Sequence, residues 1–332
     1  MSLNVTERRP SLGRVVWRPL KMADVPALTT LLAKIEAVDL AGENYDADDL
    51  AEELSDELID LSRDTLVAVA GNGELVAWGV VRVARTVRDV HRVFLEGGVH
   101  PGYRRNGLGR LLLTWQEARG AAAHRERHPA VPGQLELMPF EHVAGHCQLA
   151  ARAGYTPVRW WNTMVRDLDQ LPPAAALPPG LSLVQFDRGY DEAVRVAHNA
   201  AFSEHWGSRD RDPVEWQQWF TGARSFRPAV SFLVLAGSEV VAYLLSYFYE
   251  ADAVATGVRD AWIGQVGTAR RWRGNGLASG LFAQALASYA AAGYDRASLG
   301  VGIENTTGAL QLYQRLGFVV ENSRVSYLKS IG

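Results

Sequence analysis

This chain of 332 residues has one cysteine, no long apolar run and no large excess of either charge. Its single cysteine, Cys147, excludes an internal disulfide framework and any metal site built from several cysteines. Cys147 follows an apolar helical pattern with Val143 and Ala150, which predicts that the thiol packs in a core. We therefore predict no metal site in this chain.

No apolar stretch approaches the roughly 20 residues that a membrane-spanning helix needs. The first ten residues, Met1–Pro10, are polar and contain no hydrophobic signal core, so we expect a cytoplasmic protein without membrane contacts. The formal net charge of −3 gives no electrostatic reason to expect binding to nucleic acid. A chain of this length, with 48% apolar residues, is long enough for two domains.

Prolines interrupt the chain near its midpoint. The segment Leu171–Gly180 has prolines at positions 172, 173, 178 and 179, so it cannot continue a helix or a central strand. This composition is typical of a semi-rigid linker. We predict an N-terminal domain over residues 1–170, a linker over 171–180 and a C-terminal domain over 181–332.

One short signature, Arg-x-x-Gly-x-(Gly/Ala), occurs once in each half, at Arg104–Gly109 and at Arg273–Ala278. An apolar run precedes each copy and a Leu/Ala-rich stretch follows it, which predicts strand, turn and helix. Glycines let backbone N–H groups converge there, and the helix N-terminus adds partial positive charge. The pattern predicts two phosphate-binding loops and thus two copies of one fold.

A dinucleotide-binding turn is the competing interpretation of these glycines. That fingerprint requires a third glycine three positions after the second, but Leu112 and Ser279 occupy those positions. A single Gly-x-Gly turn is equally compatible with an ordinary strand-to-helix connection. Its recurrence in matching contexts favours a shared ligand-binding function.

The two halves match element by element, and the pattern predicts an α/β fold of the mixed α+β kind. Each half is predicted to form a twisted, hairpin-rich mixed sheet flanked by helices, unlike a regular βαβ array. The predicted strands are Val15–Arg18, Thr65–Ala70, Leu75–Val83, Val93–Val99, Leu135–Met138, Leu181–Phe186, Val230–Ala236, Val240–Tyr249, Trp262–Val266 and Ala297–Gly302, with a closing strand or two in each half. The predicted helices are Val25–Val38, Asp48–Ile59, Leu108–Ala123, Val143–Arg152, Asp191–Ser203, Pro213–Phe220, Leu277–Ala292 and Thr307–Leu316.

The two loops, together with the run Glu-Asn-x-x-Gly-Ala-Leu-x-Leu-Tyr-x-x-Leu-Gly-Phe over residues 304–318, resemble the GNAT superfamily of N-acetyltransferases. The duplication resembles its tandem, mycothiol-synthase-like members. The resemblance implies an acetyl-CoA site at a V-shaped gap between two central strands, where loop amides hold the pyrophosphate. The amide-rich pantetheine arm would pair with a strand edge such as Gln265–Thr268.

The resemblance places cofactor contacts on the loop of each half and on the strand end before it. In the second half these residues are Val266, Gly267, Thr268, Arg273, Gly274, Asn275, Gly276, Leu277, Ala278, Ser279 and Asn305. In the first half they are Gly98, Val99, Arg104, Arg105, Asn106, Gly107, Leu108 and Gly109. For Asn305 a helix N-cap is the alternative interpretation.

The family's catalytic acid is a tyrosine on the helix after the fifth strand, and Tyr313 matches that position. A plain core role beside Leu312 and Leu316 is the alternative. In the first half, Ala150 aligns with Tyr313 and His142 with Asn305, so we expect that half to be catalytically silent while its loop still has the residues to bind CoA.

Carboxylates of the second half are the candidates for the general base. Many family members use a carboxylate eight residues before the loop arginine, where the first half has Glu96 and the second half has Gln265. We therefore consider Asp260 and Glu204 as bases in the second half, with His205 beside Glu204. Glu250, Asp252 and a solvent route for the proton are the alternatives.

The acceptor pocket of this fold is commonly walled by the first helices and the hairpin. We predict that Phe202, His205 and Trp206 line it, while Trp216, Trp219 and Phe220 share a helical face that favours a core role. Such walls suit a mid-sized, partly apolar amine, with the protein acting as a monomer or homodimer. Acetylation of a peptide or protein N-terminus and a non-catalytic acyl-CoA-binding regulator stay open as alternatives.

Overall fold

A computed structural model describes residues 15–173, 177–304 and 308–332 of the chain. Twelve strands form one continuous sheet, in the order β1-β2-β3-β4-β5-β12-β6-β11-β10-β9-β8-β7. The strands are β1 (Val16–Arg18), β2 (Thr65–Val69), β3 (Leu75–Arg82), β4 (His91–Val99), β5 (Gly133–Leu137), β6 (Thr156–Asp167), β7 (Leu181–Gln185), β8 (Phe232–Ala236), β9 (Glu239–Tyr247), β10 (Asp260–Thr268), β11 (Arg296–Gly302) and β12 (Val319–Ser330).

Ten α-helices are found among the described residues, and none of them is long and apolar enough to cross a membrane. They are α1 (Val25–Asp39), α2 (Ala47–Leu54), α3 (Leu61–Asp64), α4 (Leu108–Arg127), α5 (Ala144–Arg152), α6 (Asp191–Phe202), α7 (Pro213–Trp216), α8 (Glu250–Thr256), α9 (Leu277–Ala291) and α10 (Ala309–Arg315).

Two helices are shorter than the sequence predicts. The segment predicted over Asp48–Ile59 forms α2 only to Leu54, because the chain turns at Ser55, whose N–H bonds to two carbonyls of the preceding turn. The segment predicted over Pro213–Phe220 forms α7 and then widens into a π-helical turn over Gln217–Thr221. Trp216 and Phe220 lie in the core as predicted, with their rings stacked at 4.5 Å.

The same sheet pattern occurs in both halves, which confirms the predicted mixed fold. Strands β1 to β4 pair antiparallel in sequence order, and β4 then pairs parallel with β5. Strands β7 to β10 repeat this order, and β10 pairs parallel with β11. The predicted hairpin turns lie between β2 and β3 and between β8 and β9, where Gly73 and Gly237 have φ of 86° and 61°.

The two closing strands are exchanged between the halves, a feature that the sequence pattern does not predict. Strand β12 ends the second half of the chain but pairs with β5 of the first half. Strand β6 ends the first half but pairs with β11 of the second. The two strands also pair with each other, and Arg324 lies opposite Trp161 in the register. The sheet therefore runs through both halves without a break.

The exchange also completes the two hydrophobic cores. Met164 of β6 is fully buried among α9 residues of the second half, including Leu281 and Phe282. Tyr327 of β12 packs against the first-half cluster that contains Leu113 of α4. Helices α1 and α2 cover the other face of the first half, and α6 and α7 cover the other face of the second.

We predict that the two halves stay together after the linker is cut. A protease site inserted at residues 174–176 should give, after cleavage, one particle with the mass of the intact chain in size-exclusion chromatography with light scattering. The reason is that separation would unpair β6 from β11 and β12 from β5. Two soluble, separate halves would contradict this assignment of the closing strands.

Candidate active site

Each half has a gap in the sheet directly before its glycine loop. Strand β10 pairs with β11 only from Asp260 to Ile263, although β10 continues to Thr268. Strand β4 pairs with β5 only up to Phe94 and continues to Val99. Beyond these points the strands diverge, which leaves backbone N–H and C=O groups along the gap for a ligand.

The second gap contains a β-bulge that the first lacks. The register between β9 and β10 shifts between Ile263 and Gln265, so Gly264 is the extra residue. A Cβ on Gly264 would lie 2.5 Å from the ring of Tyr247, so a side chain at this position would clash with the tyrosine ring. No such shift interrupts the pairing of β3 with β4. The two gaps therefore differ in backbone geometry as well as in side chains.

The two loops share one backbone conformation. Gly274 and Gly276 have φ of 79° and 77°, and the matching residues Arg105 and Gly107 have φ of 64° and 86°. A Cβ on Gly107, Gly274 or Gly276 would meet nothing within 4 Å, so the loops are open above their backbones. Neither α4 nor α9 has a side-chain cap at its N-terminus, and the first-turn N–H groups have no intrahelical acceptor.

The loop arginines bind protein groups. Arg104 makes two hydrogen bonds to the Asp39 carboxylate, of 2.6 and 2.7 Å, and donates to the Val99 carbonyl. Arg273 donates to the carbonyls of Thr268 and Ala201. Each guanidinium thus fastens its loop to the end of the first long helix of its half, and the backbone amides are the donors left for a phosphate.

The other predicted cofactor residues lie around the two loops. Val99, Leu108, Leu277 and Gly267 are buried, and the side-chain amides of Asn106 and Asn275 donate to loop carbonyls. Gly98, Gly109, Val266, Thr268, Ala278 and Ser279 lie on the strand ends and on the first helical turns. Asn305 lies outside the described residues, so its predicted contact stays a prediction.

Tyr313 projects from α10 against the helix that follows the second loop. Its ring centroid lies 5.3 Å from that of Phe282 in α9 and 6.2 Å from that of Phe318. Burial raises the pKa of Tyr313 to about 12. The hydroxyl therefore keeps its proton throughout the physiological range and is a hydrogen-bond donor.

The predicted bases are both held by arginines. Asp260 accepts hydrogen bonds of 2.7 Å from Arg296 and 2.8 Å from Ser298, and burial raises its pKa. It begins β10, about 26 Å along the strand from Thr268 at a rise of about 3.3 Å per residue. Glu204 lies on the loop side, 2.8 Å from Arg270 and 3.7 Å from Arg273.

The alternative carboxylates are engaged as well. Glu250 pairs with Arg227 at 3.2 Å, and Asp252 accepts two hydrogen bonds from Asn44 of the first half. Burial raises the pKa of Asp252.

Aromatic side chains line the second gap on the face covered by α6. The Trp262 indole lies 3.7 Å from a Cβ placed on Gly300, and Trp161 lies 3.4 Å from one placed on Gly302. Trp161 belongs to the exchanged strand β6, so a search within the second half of the sequence misses it. The only sequence feature that could have indicated this aromatic wall is the Trp160-Trp161 pair in the closing strand of the other half.

The predicted pocket residues lie at the end of α6. Phe202 stacks on His198 and contacts His205, both with ring centroids 4.5 Å apart. Trp206 reaches across to the first half, where the Arg92 guanidinium lies 3.8 Å from its ring centroid. The Trp161 ring is 6.2 Å away. Trp206 therefore walls the second gap together with first-half residues.

The first gap has a cluster of charged side chains beside it. Glu96 bonds to Arg82 at 3.0 Å, and Arg82 bonds to Glu53 at 2.9 Å. Burial raises the pKa of Glu53 to about 7. His142, which aligns with Asn305, bonds to the Asp39 carbonyl, and Ala150, which aligns with Tyr313, is buried.

Comparison with known proteins finds one family in both halves of the chain. The model of the acetyltransferase (GNAT) family matches twice, over residues 33–128 and 192–318. The mycothiol acetyltransferase of Thermobispora bispora is 33% identical over 230 residues, which cover 66% of this chain and 70% of that protein. The mycothiol acetyltransferase of Paenarthrobacter aurescens is 31% identical over 241 residues, which cover 70% and 69%.

Two solved structures resemble the chain over nearly its full length. A GCN5-related N-acetyltransferase from Sphaerobacter thermophilus has a TM-score of 0.75 and 28% identity, covering 96% of each chain. A tandem GNAT protein from the clavulanic acid biosynthesis pathway has a TM-score of 0.68 and covers 96% of this chain and 99% of its own. At 18% identity, the second similarity shows the fold alone.

Proposed function

The chain belongs to the acetyltransferase (GNAT) family, and from this premise we propose that it transfers an acetyl group from acetyl-CoA to a primary amine in its second half. One observation carries the assignment to that half. Only there, among the described residues, does an open loop adjoin a bulged gap and a partly buried tyrosine in the position that the resemblance gives to the acid.

The second loop fits the pyrophosphate of acetyl-CoA. The space above Gly274 and Gly276 is open, and the uncapped N-terminus of α9 offers N–H donors and partial positive charge. The unpaired edge over Gln265–Thr268 has the backbone groups to bond an amide-rich arm. Acetyl-CoA supplies the acetyl group activated as a thioester.

Tyr313 would act as the acid in a direct transfer. Attack by the amine nitrogen forms the new C–N bond and breaks the C–S bond, so a donor to the departing sulfur lowers the barrier. The Tyr313 hydroxyl, whose pKa burial raises to about 12, is protonated at neutral pH and has the proton to give. Its packing on Phe282 fixes the ring beside the helix that begins at the loop.

For the proton that the amine loses, Glu204 and Asp260 stay the proposed bases. Glu204 is the better placed of the two because it adjoins the loop, whereas Asp260 lies at the far end of β10. Each would have to loosen an ion pair before accepting a proton. Solvent entering the open gap is the route that needs no such change.

We propose a small or mid-sized metabolite as the acceptor and a silent first half. Relatives named mycothiol acetyltransferase favour a small molecule, and the aromatic walls of the second gap suit one that is partly apolar. A peptide acceptor would instead favour an open acidic groove. The non-catalytic alternative draws its support from the ion-paired carboxylates of the second half.

Tyr313→Phe should lower turnover at least tenfold with little change in the dissociation constant for acetyl-CoA, because general acid catalysis contributes roughly 10²–10⁴-fold. Thiol release and calorimetry measure the two quantities. Tyr294→Phe is the matched control, since that ring packs on Phe248 at the opposite end of α9. Unchanged turnover in the Tyr313 variant would remove this residue from the mechanism.

Gly276→Val should abolish acetyl-CoA binding to the second half, because valine is strained at a φ of 77° and its side chain would occupy the open side of the loop. The matched variant is Gly107→Val, at a φ of 86°. Calorimetric stoichiometry then counts the sites. If Gly107→Val removes catalysis while Gly276→Val spares it, the chemistry belongs to the first half.

A further inference from the structure

We infer that Arg159, on the exchanged strand β6, binds a carboxylate of the acceptor, so that the substrate is an amine that also carries a carboxyl group, as an amino acid does. The inference rests on the proposed function. It names a specificity-determining residue that the first half contributes to the acceptor site of the second.

Arg159 lies at the open end of the second gap. Its Nε and Nη2 atoms are each 3.3 Å from a Cβ placed on Gly302, the last residue of β11. Strand β11 has stopped pairing with β10 three residues earlier, after Leu299. Because Gly302 has no side chain, the guanidinium from β6 covers this position. The charge therefore lies beside the gap on the face that holds Trp161 and Trp262.

Aromatic rings hold the guanidinium in place. Its Cζ atom lies 5.2 Å from the Trp161 ring centroid and 5.3 Å from that of Trp206. Such cation–π contacts orient an arginine without neutralising it. The Trp161 Nε1 atom donates to Ser326 at 2.9 Å, which fixes the ring on which Arg159 rests.

The positive charge of Arg159 is not compensated within the described part of the chain. Its Nε is buried without a hydrogen-bond partner there. The nearby charged groups include Arg92 and His205, and burial is the main cause that lowers the pKa of each. Arg159 lowers both pKa values further, by less than Glu136 raises that of Arg92 and by less than Arg273 lowers that of His205. A buried donor on an unpaired cation is costly unless a ligand supplies an acceptor.

The carboxylates near this region already have other partners. Glu136 lies 4.0 Å from Arg92, and burial raises its pKa. Glu204 pairs with Arg270 and adjoins Arg273. An anionic group on the ligand is the partner that this arrangement lacks, and a carboxylate matches the planar, forked geometry of a guanidinium.

A carboxylate on the acceptor fits better than a phosphate of acetyl-CoA. Arg159 belongs to the aromatic wall on the α6 face, whereas the loop at the start of α9 has backbone donors of its own for phosphate. An acceptor bound there would place an apolar body among Trp161, Trp206 and Trp262. Its carboxylate would reach Arg159 while its amine enters the gap.

The test compares amino acids with the amines formed by removing their carboxyl groups. The pairs are tyrosine with tyramine, phenylalanine with 2-phenylethylamine, and tryptophan with tryptamine, each measured by thiol release from acetyl-CoA. Wild type should prefer the amino acids. Arg159→Gln should lower kcat/KM for them about 10- to 100-fold, the effect of a lost hydrogen bond to a charged group, and leave the decarboxylated amines within about threefold.

Arg166→Gln is the matched control, because Arg166 lies on the same strand but on the opposite face, bonded to the Gln170 carbonyl. Arg159→Lys keeps the positive charge but lacks the paired N–H donors of the guanidinium, and it should retain part of the preference for amino acids over decarboxylated amines. Thermal unfolding of all three variants checks their folding. The inference is overturned if Arg159→Lys lowers kcat/KM for the amino acids as much as Arg159→Gln does. It is also overturned if Arg159→Gln lowers kcat/KM equally for the amino acid and the decarboxylated amine of each pair.

Two further outcomes separate this inference from the proposed function. Weaker acetyl-CoA binding by Arg159→Gln, with unchanged amine KM values, would assign Arg159 to a cofactor phosphate and overturn the inference alone. Transfer by wild type without any preference for the amino acids would do the same and leave the proposed function standing. Absence of transfer to every amine, despite acetyl-CoA binding, would count against both.

Discussion

Backbone hydrogen bonding by the two exchanged strands is the constraint on which the rest of the molecule depends. Strand β6 lies between β12 and β11, and β12 lies between β5 and β6, so neither half has a closing strand of its own. An unpaired edge at β5 or β11 would leave a row of backbone donors and acceptors exposed in the centre of the sheet. Each half therefore completes its sheet and its core only with the other present.

Duplication on this shared frame kept the backbone of the two loops and changed the side chains in the two gaps. Both loops place two residues at positive φ and fasten an arginine to the end of the first long helix of their half. The Glu53-Arg82-Glu96 cluster lies beside the first gap, and tryptophans line the second. Loop geometry is fixed by local backbone chemistry, whereas gap chemistry varies with single side chains, so the halves can share a fold while differing in reactivity.

The local features of the fold could be predicted from the sequence. Hydrophobic periodicity, the hairpin glycines and the repeated loop predicted most strands and helices to within a few residues, but not the short helices α3 and α8. The family comparison confirms the tandem assignment. The observed ends of α2 and α7 differ from the predicted ends, because the last turns depend on local hydrogen bonds that hydrophobic periodicity does not encode. The strand exchange could not be predicted, since β6 and β12 have the same alternating pattern whichever half they join.

The same limit applies to the candidate site. Tyr313 and the loop residues follow from a motif that is contiguous in sequence, but Arg159 and Trp161 reach the second gap only because β6 crosses into the other half. Trp161 lies directly opposite Arg324 of the other exchanged strand in the register, so the strands that the two halves exchange are neighbours in the sheet. Strand β6 is continuous with the first half of the chain, so the residues that it contributes to the second gap are encoded in the other copy of the fold.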